Sequence, residues 1–92
     1  MINLNDVTIT GTTSEIAENI NNIISTPEGT VPFDRNFGID MSLLDEPMNL
    51  ATGLITVEII RKVQLYESRV SVKEVTFESD DNDNLIPKVR VE

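Results

Sequence analysis

The side chains that could do chemistry in this sequence are mostly carboxylates. The chain has 92 residues, with 16 Asp and Glu, 7 Lys and Arg, and neither His nor Cys. Glycoside hydrolysis needs two nearby carboxyl groups, one of them with its pKa raised by an apolar pocket. The candidates lie in predicted turns, where a carboxylate is normally solvated or caps a helix: Glu28, Asp34, Asp45 and Glu46. The sequence therefore does not support a carboxylate mechanism.

Nucleophilic, metal and phosphate chemistry find even less support. Without His the serines lack their usual general base, and no motif indicates the Ser–Lys pair that stays open. Asp80, Asn82 and Asn84 match the opening of a calcium loop, but Leu85 stands where glycine is required and Val91 where Glu is required. The four glycines are too scattered for a phosphate-binding loop. We expect no catalytic residue, metal or cofactor.

The formal net charge of −9 restricts the partners further. It repels nucleic acid, which is bound through Lys and Arg. No apolar run approaches the roughly 18–20 residues that span a bilayer, and the first residues lack a secretory signal, so we expect a soluble protein without membrane contact. Four of the seven basic residues fall between Arg61 and Lys73. This cluster is either a local contact surface or a solvated face.

The N-terminal part predicts a strand and a helix within one domain over residues 1–92. Weak alternation from Ile2 to Ile9 favours a short strand ending at Gly11. Thr12 and Glu15 have the spacing of a capping box, which predicts a helix with Thr12 as its cap. Its apolar face comprises Ile16, Ala17, Ile20, Ile23 and Ile24. The helix should end at Thr26, since the residue before a proline is disfavoured in a helix.

Residues 31–44 predict mainly irregular structure. Val31 to Phe33 favours a short extended piece, which Pro32 confines to a sheet edge or strand end. The following turn carries Phe33 and Phe37, which we expect to anchor it in the core. Residues 41–44 predict one helical turn.

The longest periodic segment predicts a helix from about Leu50 to Tyr66, capped by Asn49. Its apolar stripe comprises Ala51, Ile55, Ile59, Val63 and Tyr66. Glu58 and Lys62 are expected to pair across one turn. Val57 points away from the stripe, as does Ile60, so either the helix is sandwiched within its own domain or a partner covers it.

The C-terminal part predicts an antiparallel hairpin. Val70 and Val72 alternate with polar residues, and Val75 and Phe77 do so with the opposite parity, so a bulge at 73–74 must restore a common buried face. A polar turn at 79–84 leads into a second alternating run over 85–91. The fold class is therefore α+β, a small two-layer domain with helices on a small mixed or antiparallel sheet that ends in this hairpin.

One ordered series of residues resembles a known family. It comprises the Thr-Pro-Glu-Gly turn at 26–29, Val31 and Pro32, the Asp-Arg-Asn-Phe-Gly-Ile-Asp run at 34–40, Glu67-Ser-Arg69, and the apolar positions Val70, Val72, Val75 and Phe77. Together they resemble the phage baseplate wedge family, which includes the sheath-initiating component of contractile tails and the related subunit of type VI secretion. The likeness covers about residues 15–77. The short chain resembles the phage or phage-tail-like members of the family more than the type VI member.

The resemblance implies a non-enzymatic structural protein of the virion tail baseplate, assembled in the bacterial cytoplasm. The implied partners are other baseplate wedge proteins and the tail sheath protein, without nucleic acid, membrane or small-molecule substrate. The family signature is a Glu-Pro-Arg triplet at the end of the long helix, which fixes the subunit to the helical core bundle of the wedge. Glu67 and Arg69 match it, while Ser68 replaces the proline.

The predicted partner-binding site therefore has two parts. Glu67 and Arg69 are expected to attach the subunit to the wedge. The hairpin is expected to offer the sheath an edge, because the unpaired N–H and C=O groups of an edge strand accept another strand. The residues predicted at this edge are Val70, Val72, Lys88, Val89, Arg90 and Val91. Arg35, Phe37 and Gly38 are expected to be scaffold.

Two alternatives stay open. The same fold is thought to serve in a stress-response anti-adaptor, so the chain could be a regulatory protein–protein interaction module with a single soluble partner. Glu67 and Arg69 could equally be an ordinary exposed pair at a helix end, contributing about 0–1 kcal/mol.

Overall fold

The computed structural model describes residues 2–5, 7–79, 81 and 83–92. Its elements are strand β1 (Thr8–Thr10), helix α1 (Ser14–Ser25), a 3-10 helix (Met41–Asp45), helix α2 (Met48–Tyr66), strand β2 (Val72–Ser79) and strand β3 (Leu85–Val91). The helices and one face of the sheet share a hydrophobic cluster. This arrangement confirms the predicted α+β class. Two residues of the calcium-like turn, Asp80 and Asn82, lie outside the described residues.

The described strands form a mixed sheet in the order β1-β3-β2. β2 and β3 are antiparallel, which confirms the predicted hairpin, and a register shift between Val72 and Glu74 confirms the bulge. β1 runs parallel to β3, with Ile9 opposite Val89. The N-terminal strand is thus confirmed but shorter than predicted, and β3 is the central strand.

Alternation along the strands gives the sheet a buried and an exposed face. Val89 and Val91 are fully buried. Ile9, Val75 and Phe77 pack against the same core. Lys88 and Arg90 alternate with the buried valines and are exposed, as are their neighbours Thr8 and Thr10 on β1 and Thr76 on β2. One face of the sheet therefore carries the helices, and the other faces solvent.

Helix α1 has a different cap from the one predicted. Its N-cap is Thr13, whose hydroxyl accepts a hydrogen bond from the Ile16 amide at 3.4 Å. The capping box of Thr12 and Glu15 is therefore wrong by one residue, because two adjacent threonines both suit the position. The predicted apolar face is confirmed by the burial of Ile20, Ile23 and Ile24.

Helix α2 begins two residues earlier than predicted. Its cap is Pro47 instead of Asn49. The Pro47 carbonyl accepts hydrogen bonds from the amides of Leu50 and Ala51 at 2.9 and 2.8 Å. The predicted stripe is confirmed for Ala51, Ile55, Ile59 and Val63, which are at most 1% exposed, while its last member, Tyr66, is partly exposed.

A buried lysine holds the irregular segment 26–40 against α2. Lys62 is 1% exposed. Its ammonium group donates to the carboxylate of Glu28 and to the carbonyl oxygen of Asn36. Because a buried charge must be paired and hydrogen-bonded, these contacts fix two points of the segment on the helix.

Glu58 fixes a third point of this segment. Its carboxylate accepts a hydrogen bond from the Asp40 amide at 3.1 Å and pairs with Arg61 at 2.6 Å. The predicted pair of Glu58 with Lys62 is therefore wrong, since both side chains have other partners. Helical spacing cannot reveal the partners that are remote in sequence, which are Asp40 for Glu58 and Glu28 and Asn36 for Lys62. Arg61 lies at the i+3 position of Glu58, a spacing that also suits an ion pair.

Residues 31–34 form a turn instead of the predicted extended piece. The Asp34 amide donates to the Val31 carbonyl at 3.2 Å. Phe33 is fully exposed, so its predicted role as a core anchor is wrong. Phe37 does pack, with its ring edge-on to Tyr66 and 5.1 Å between the centroids.

Three glycine-to-alanine substitutions should have three different effects on the free energy of unfolding. Gly38 has φ +98 and a Cβ there would overlap the Thr26 carbonyl, so Gly38→Ala should destabilise by about 2 kcal/mol or more. Gly29 has φ +90, with no described atom near its missing Cβ, and Gly29→Ala should cost about 1 kcal/mol. Gly53 lies within α2 with open space around it, so Gly53→Ala should stabilise by about 0.5–1 kcal/mol.

Urea unfolding followed by circular dichroism measures all three. Equal costs at positions 38 and 29 would contradict the close approach of Thr26 to Gly38.

Candidate functional site

Both predicted attachment residues lie at the C-terminal end of α2. Glu67 is the C-cap of this helix, and its amide donates to the Val63 carbonyl at 2.7 Å. The chain then turns at residues 68–69 before it enters β2. Arg69 therefore follows the helix end directly.

The two side chains form a bidentate ion pair. Arg69 Nε donates to Glu67 Oε1 and Arg69 Nη2 donates to Glu67 Oε2, both at 2.7 Å. Asn19 on α1 donates to Oε2 at 3.4 Å. The Glu67 side chain is 6% exposed, whereas that of Arg69 is 53% exposed. Glu67 is therefore enclosed by its own chain, while the guanidinium reaches solvent.

The ion pair shifts the pKa values of both residues. Hydrogen bonds from Arg69 lower the pKa of Glu67 to about 2 and outweigh the effect of burial, which acts in the opposite direction. The same bonds raise the pKa of Arg69. A fork of charge-assisted hydrogen bonds also fixes the plane of the guanidinium. Glu67 thus both holds and orients Arg69.

A shallow cleft of about 200 Å³ includes Glu67 in its wall. Its other lining residues are Asn19, Asn22, Ile23, Phe37 and Tyr66. The Tyr66 hydroxyl donates to Asp34 at 2.8 Å, and burial followed by this bond raises the pKa of Tyr66. The cleft is smaller than small-molecule sites, which occupy roughly 300–1,000 Å³.

The described sheet has two outer edges, one on the three-residue strand β1 and one on the eight-residue strand β2. Lys88, Val89 and Arg90 pair with β1 on one side and with β2 on the other. Among residues 2–5, 7–79, 81 and 83–92, no strand pairs with the outer side of β2. Within the predicted hairpin, the strand that can accept a partner strand is therefore β2. The backbone of β3 is already paired on both sides.

The side chains predicted at the edge differ in exposure. Val89 and Val91 are fully buried, and Val70 is nearly so. Val72 is partly buried. Lys88 and Arg90 are exposed, and Lys88 lies 3.8 Å from Glu78 on β2. Contact of these residues with a partner stays a prediction.

Sequence reasoning did not identify Asn19 as part of this site. Asn19 is 48 residues from Glu67 in the chain. Its place on the polar face of α1 was readable from the pattern. The partner of that face depends on how α1 packs beside the end of α2, which no local spacing reveals.

The fold and the site define a small α+β protein with an oriented surface arginine and an open strand edge, features that suit assembly with other chains. A family model described as "Baseplate wedge protein gp25" matches residues 11–92. The chain belongs to this family, which confirms the resemblance and gives it a structural role in a tail baseplate, in contact with other baseplate proteins. The comparisons with curated proteins and with solved structures found no match.

Two further findings concern the described part of the chain only. None of its helices has the length and apolar character needed to cross a membrane. No group of three or more of its acidic side chains is placed to hold a metal ion.

Because of the Glu67–Arg69 pair, the free energy of unfolding should depend on pH in the acid range. The pKa of Glu67 is about 2 in the folded protein against 4.5 ordinarily, so the pair stabilises the fold above about pH 5, and this stabilisation is lost as the pH falls toward 2. The difference in unfolding free energy between the wild type and Glu67→Gln should therefore shrink over this range. Urea unfolding at several pH values measures it.

Glu15→Gln is the matched control, because the Glu15 carboxylate is 80% exposed and 4.0 Å from Arg69. A difference between wild type and Glu67→Gln that did not change with pH would contradict the lowered pKa.

Proposed function

We propose that this protein is a baseplate wedge subunit that attaches through Arg69 and initiates the sheath of a contractile tail by accepting a strand on β2. Family membership supports the baseplate role. The observation that carries the finer proposal is the open outer edge of β2, an eight-residue strand that starts at Val72, just after Arg69. Attachment and strand addition would then use adjacent parts of the chain.

Arg69 is the contacting group in this proposal, and Glu67 is the positioning group. A guanidinium has five N–H donors, and Glu67 engages two of its nitrogens. Nη1 lies 4.0 Å from the exposed Glu15 carboxylate, and the Arg69 side chain is 53% exposed, so its remaining donors can bind a carboxylate or carbonyl of the wedge. Once buried there, Arg69 would be strongly held, since breaking a buried ion pair costs roughly 3–5 kcal/mol.

The outer edge of β2 suits a specific strand partner. Its exposed side chains Glu74, Thr76 and Glu78 are polar, and the bulge between Val72 and Glu74 interrupts the ladder near its start. Charges and bulges of this kind protect an open edge from indiscriminate pairing. A matching strand would still gain a row of main-chain hydrogen bonds. The role is structural, and we expect no turnover of cell-wall glycan.

Alanine at position 67 or 69 should block assembly without unfolding the protein. Each change removes one half of the fork that presents the guanidinium. We expect about tenfold or more fewer contractile particles, with the circular dichroism spectrum of the isolated variant unchanged. Particle counts by electron microscopy measure the effect.

Arg61→Ala is the control for this experiment, since it removes another half-exposed arginine that pairs with a buried glutamate, Glu58 at 2.6 Å, on a part of α2 outside the proposed site. Normal yields of particles from a Glu67→Ala/Arg69→Ala double variant would refute the attachment role. Recovery of one soluble regulator in place of wedge and sheath proteins would favour the regulatory alternative.

Amide hydrogen exchange tests strand addition directly. In the isolated protein, the β2 amides that point outward should exchange fast, while those paired with β3 are protected. In assembled particles the outward amides of 72–79 should become protected as well, because they donate to the added strand. Amides of β3 are the internal reference, and unchanged exchange on β2 would rule out pairing at this edge.

A further inference from the structure

Phe33 combines two unfavourable features in one residue. Its ring is fully exposed. Its backbone has φ +69, in the left-handed region that bulky side chains rarely adopt. A conformational outlier of this kind is a sign of function when the surrounding structure enforces it.

The surrounding structure does enforce this turn. The Asp34 amide closes it onto the Val31 carbonyl at 3.2 Å. The Asp34 carboxylate accepts the Tyr66 hydroxyl at 2.8 Å. Directly after the turn, the carbonyl of Asn36 accepts a hydrogen bond from buried Lys62. The exposed ring is therefore presented by a braced segment on α2.

Arg35 adds a charge two residues along the chain from this ring. Among the described residues, five basic side chains have an acidic partner within 4.0 Å, namely Arg61, Lys62, Arg69, Lys73 and Lys88, and Arg90 has none. Arg35 forms no ion pair with any described residue and is exposed. An exposed aromatic ring with an unpaired arginine two residues away has the composition of a binding hot spot.

We propose that Phe33 and Arg35 form an anchor that inserts into an apolar pocket of a different protein, with a carboxylate at the rim of that pocket. The ring would supply the buried area and Arg35 the charged contact. A second copy of this chain is disfavoured as the partner, because each copy carries a net charge of −9. The proposal rests on family membership and not on the roles of Arg69 or β2. It gives Arg35 a binding role where the sequence predicted scaffold.

Photocrosslinking of the full chain in assembling cells tests the proposal. Benzoylphenylalanine replaces Phe33, and mass spectrometry maps the adduct. We expect one main adduct, on another baseplate protein, in an apolar pocket with Asp or Glu at its rim. The same probe at Val57, which is 64% exposed on α2, is the control.

Two results would overturn the proposal. One is a yield at position 33 no higher than at Val57. The other is an adduct on a second copy, for which the cavity of about 350 Å³ lined by Ile2, Leu4, Met41, Leu44 and three asparagines, Asn3, Asn5 and Asn84, is the natural acceptor. Benzoylphenylalanine at Thr76 separates this proposal from strand addition. An adduct at position 76 without one at position 33 would refute the anchor and leave strand addition intact.

Phe33→Gly supplies a second measurement that a structural role would not reproduce. Glycine tolerates φ +69 and removes the exposed ring, so the thermal midpoint of the isolated protein should rise. Incorporation into particles should nevertheless fall about tenfold or more. Arg35→Glu should also reduce incorporation, and a carboxylate-to-lysine change at the mapped rim should restore it. Wild-type incorporation of Phe33→Gly would refute the anchor.

Discussion

The buried ammonium group of Lys62 organises the part of the molecule that the sheet does not reach. At 1% exposure it needs partners from its own chain, and it obtains them from Glu28 and Asn36. A charged group stranded in such a site would cost several kcal/mol, so the segment 26–40 must stay on α2 for the domain to remain folded. Glu58 and Tyr66 extend the same arrangement along the helix by binding the Asp40 amide and the Asp34 carboxylate. The irregular segment 26–40 is thereby fixed along α2 at several points.

Much of the fold could be predicted because its signals are local. Apolar residues that recur every 3.6 positions predicted both helices. The bulge between Val72 and Glu74 was predicted because the alternating apolar residues shift by one position there. The errors occur where the deciding partner is remote or where neighbours are equivalent. Lys62 has the right spacing to pair with Glu58, but its partners lie 34 and 26 residues away. The sequence predicted Phe33 as a core residue because aromatic rings are usually buried. The geometry of the turn directs its ring to solvent instead.

The candidate site shows the same division. The spacing of Glu67 and Arg69 was readable and gained meaning from the family resemblance, and the structure brings the two side chains into one ion pair. The free edge was not readable from the hairpin, since two paired strands look equivalent in sequence. The three residues of β1 decide it by pairing with β3, which leaves β2 as the hairpin strand with an open outer side.

The replacement of the signature proline by Ser68 can be understood from the contacts of its neighbours. A proline would stiffen the turn mainly by restricting the unfolded chain, an effect of about 0.4–1 kcal/mol. Here the turn is held from both sides instead: the Glu67 amide continues the helix by donating to Val63, and two hydrogen bonds of 2.7 Å tie Arg69 back to Glu67. Asn19 adds a bond from α1 to the same carboxylate. The orientation of the guanidinium is thus fixed by the side chains, and position 68 itself is free to vary as long as the carboxylate stays buried.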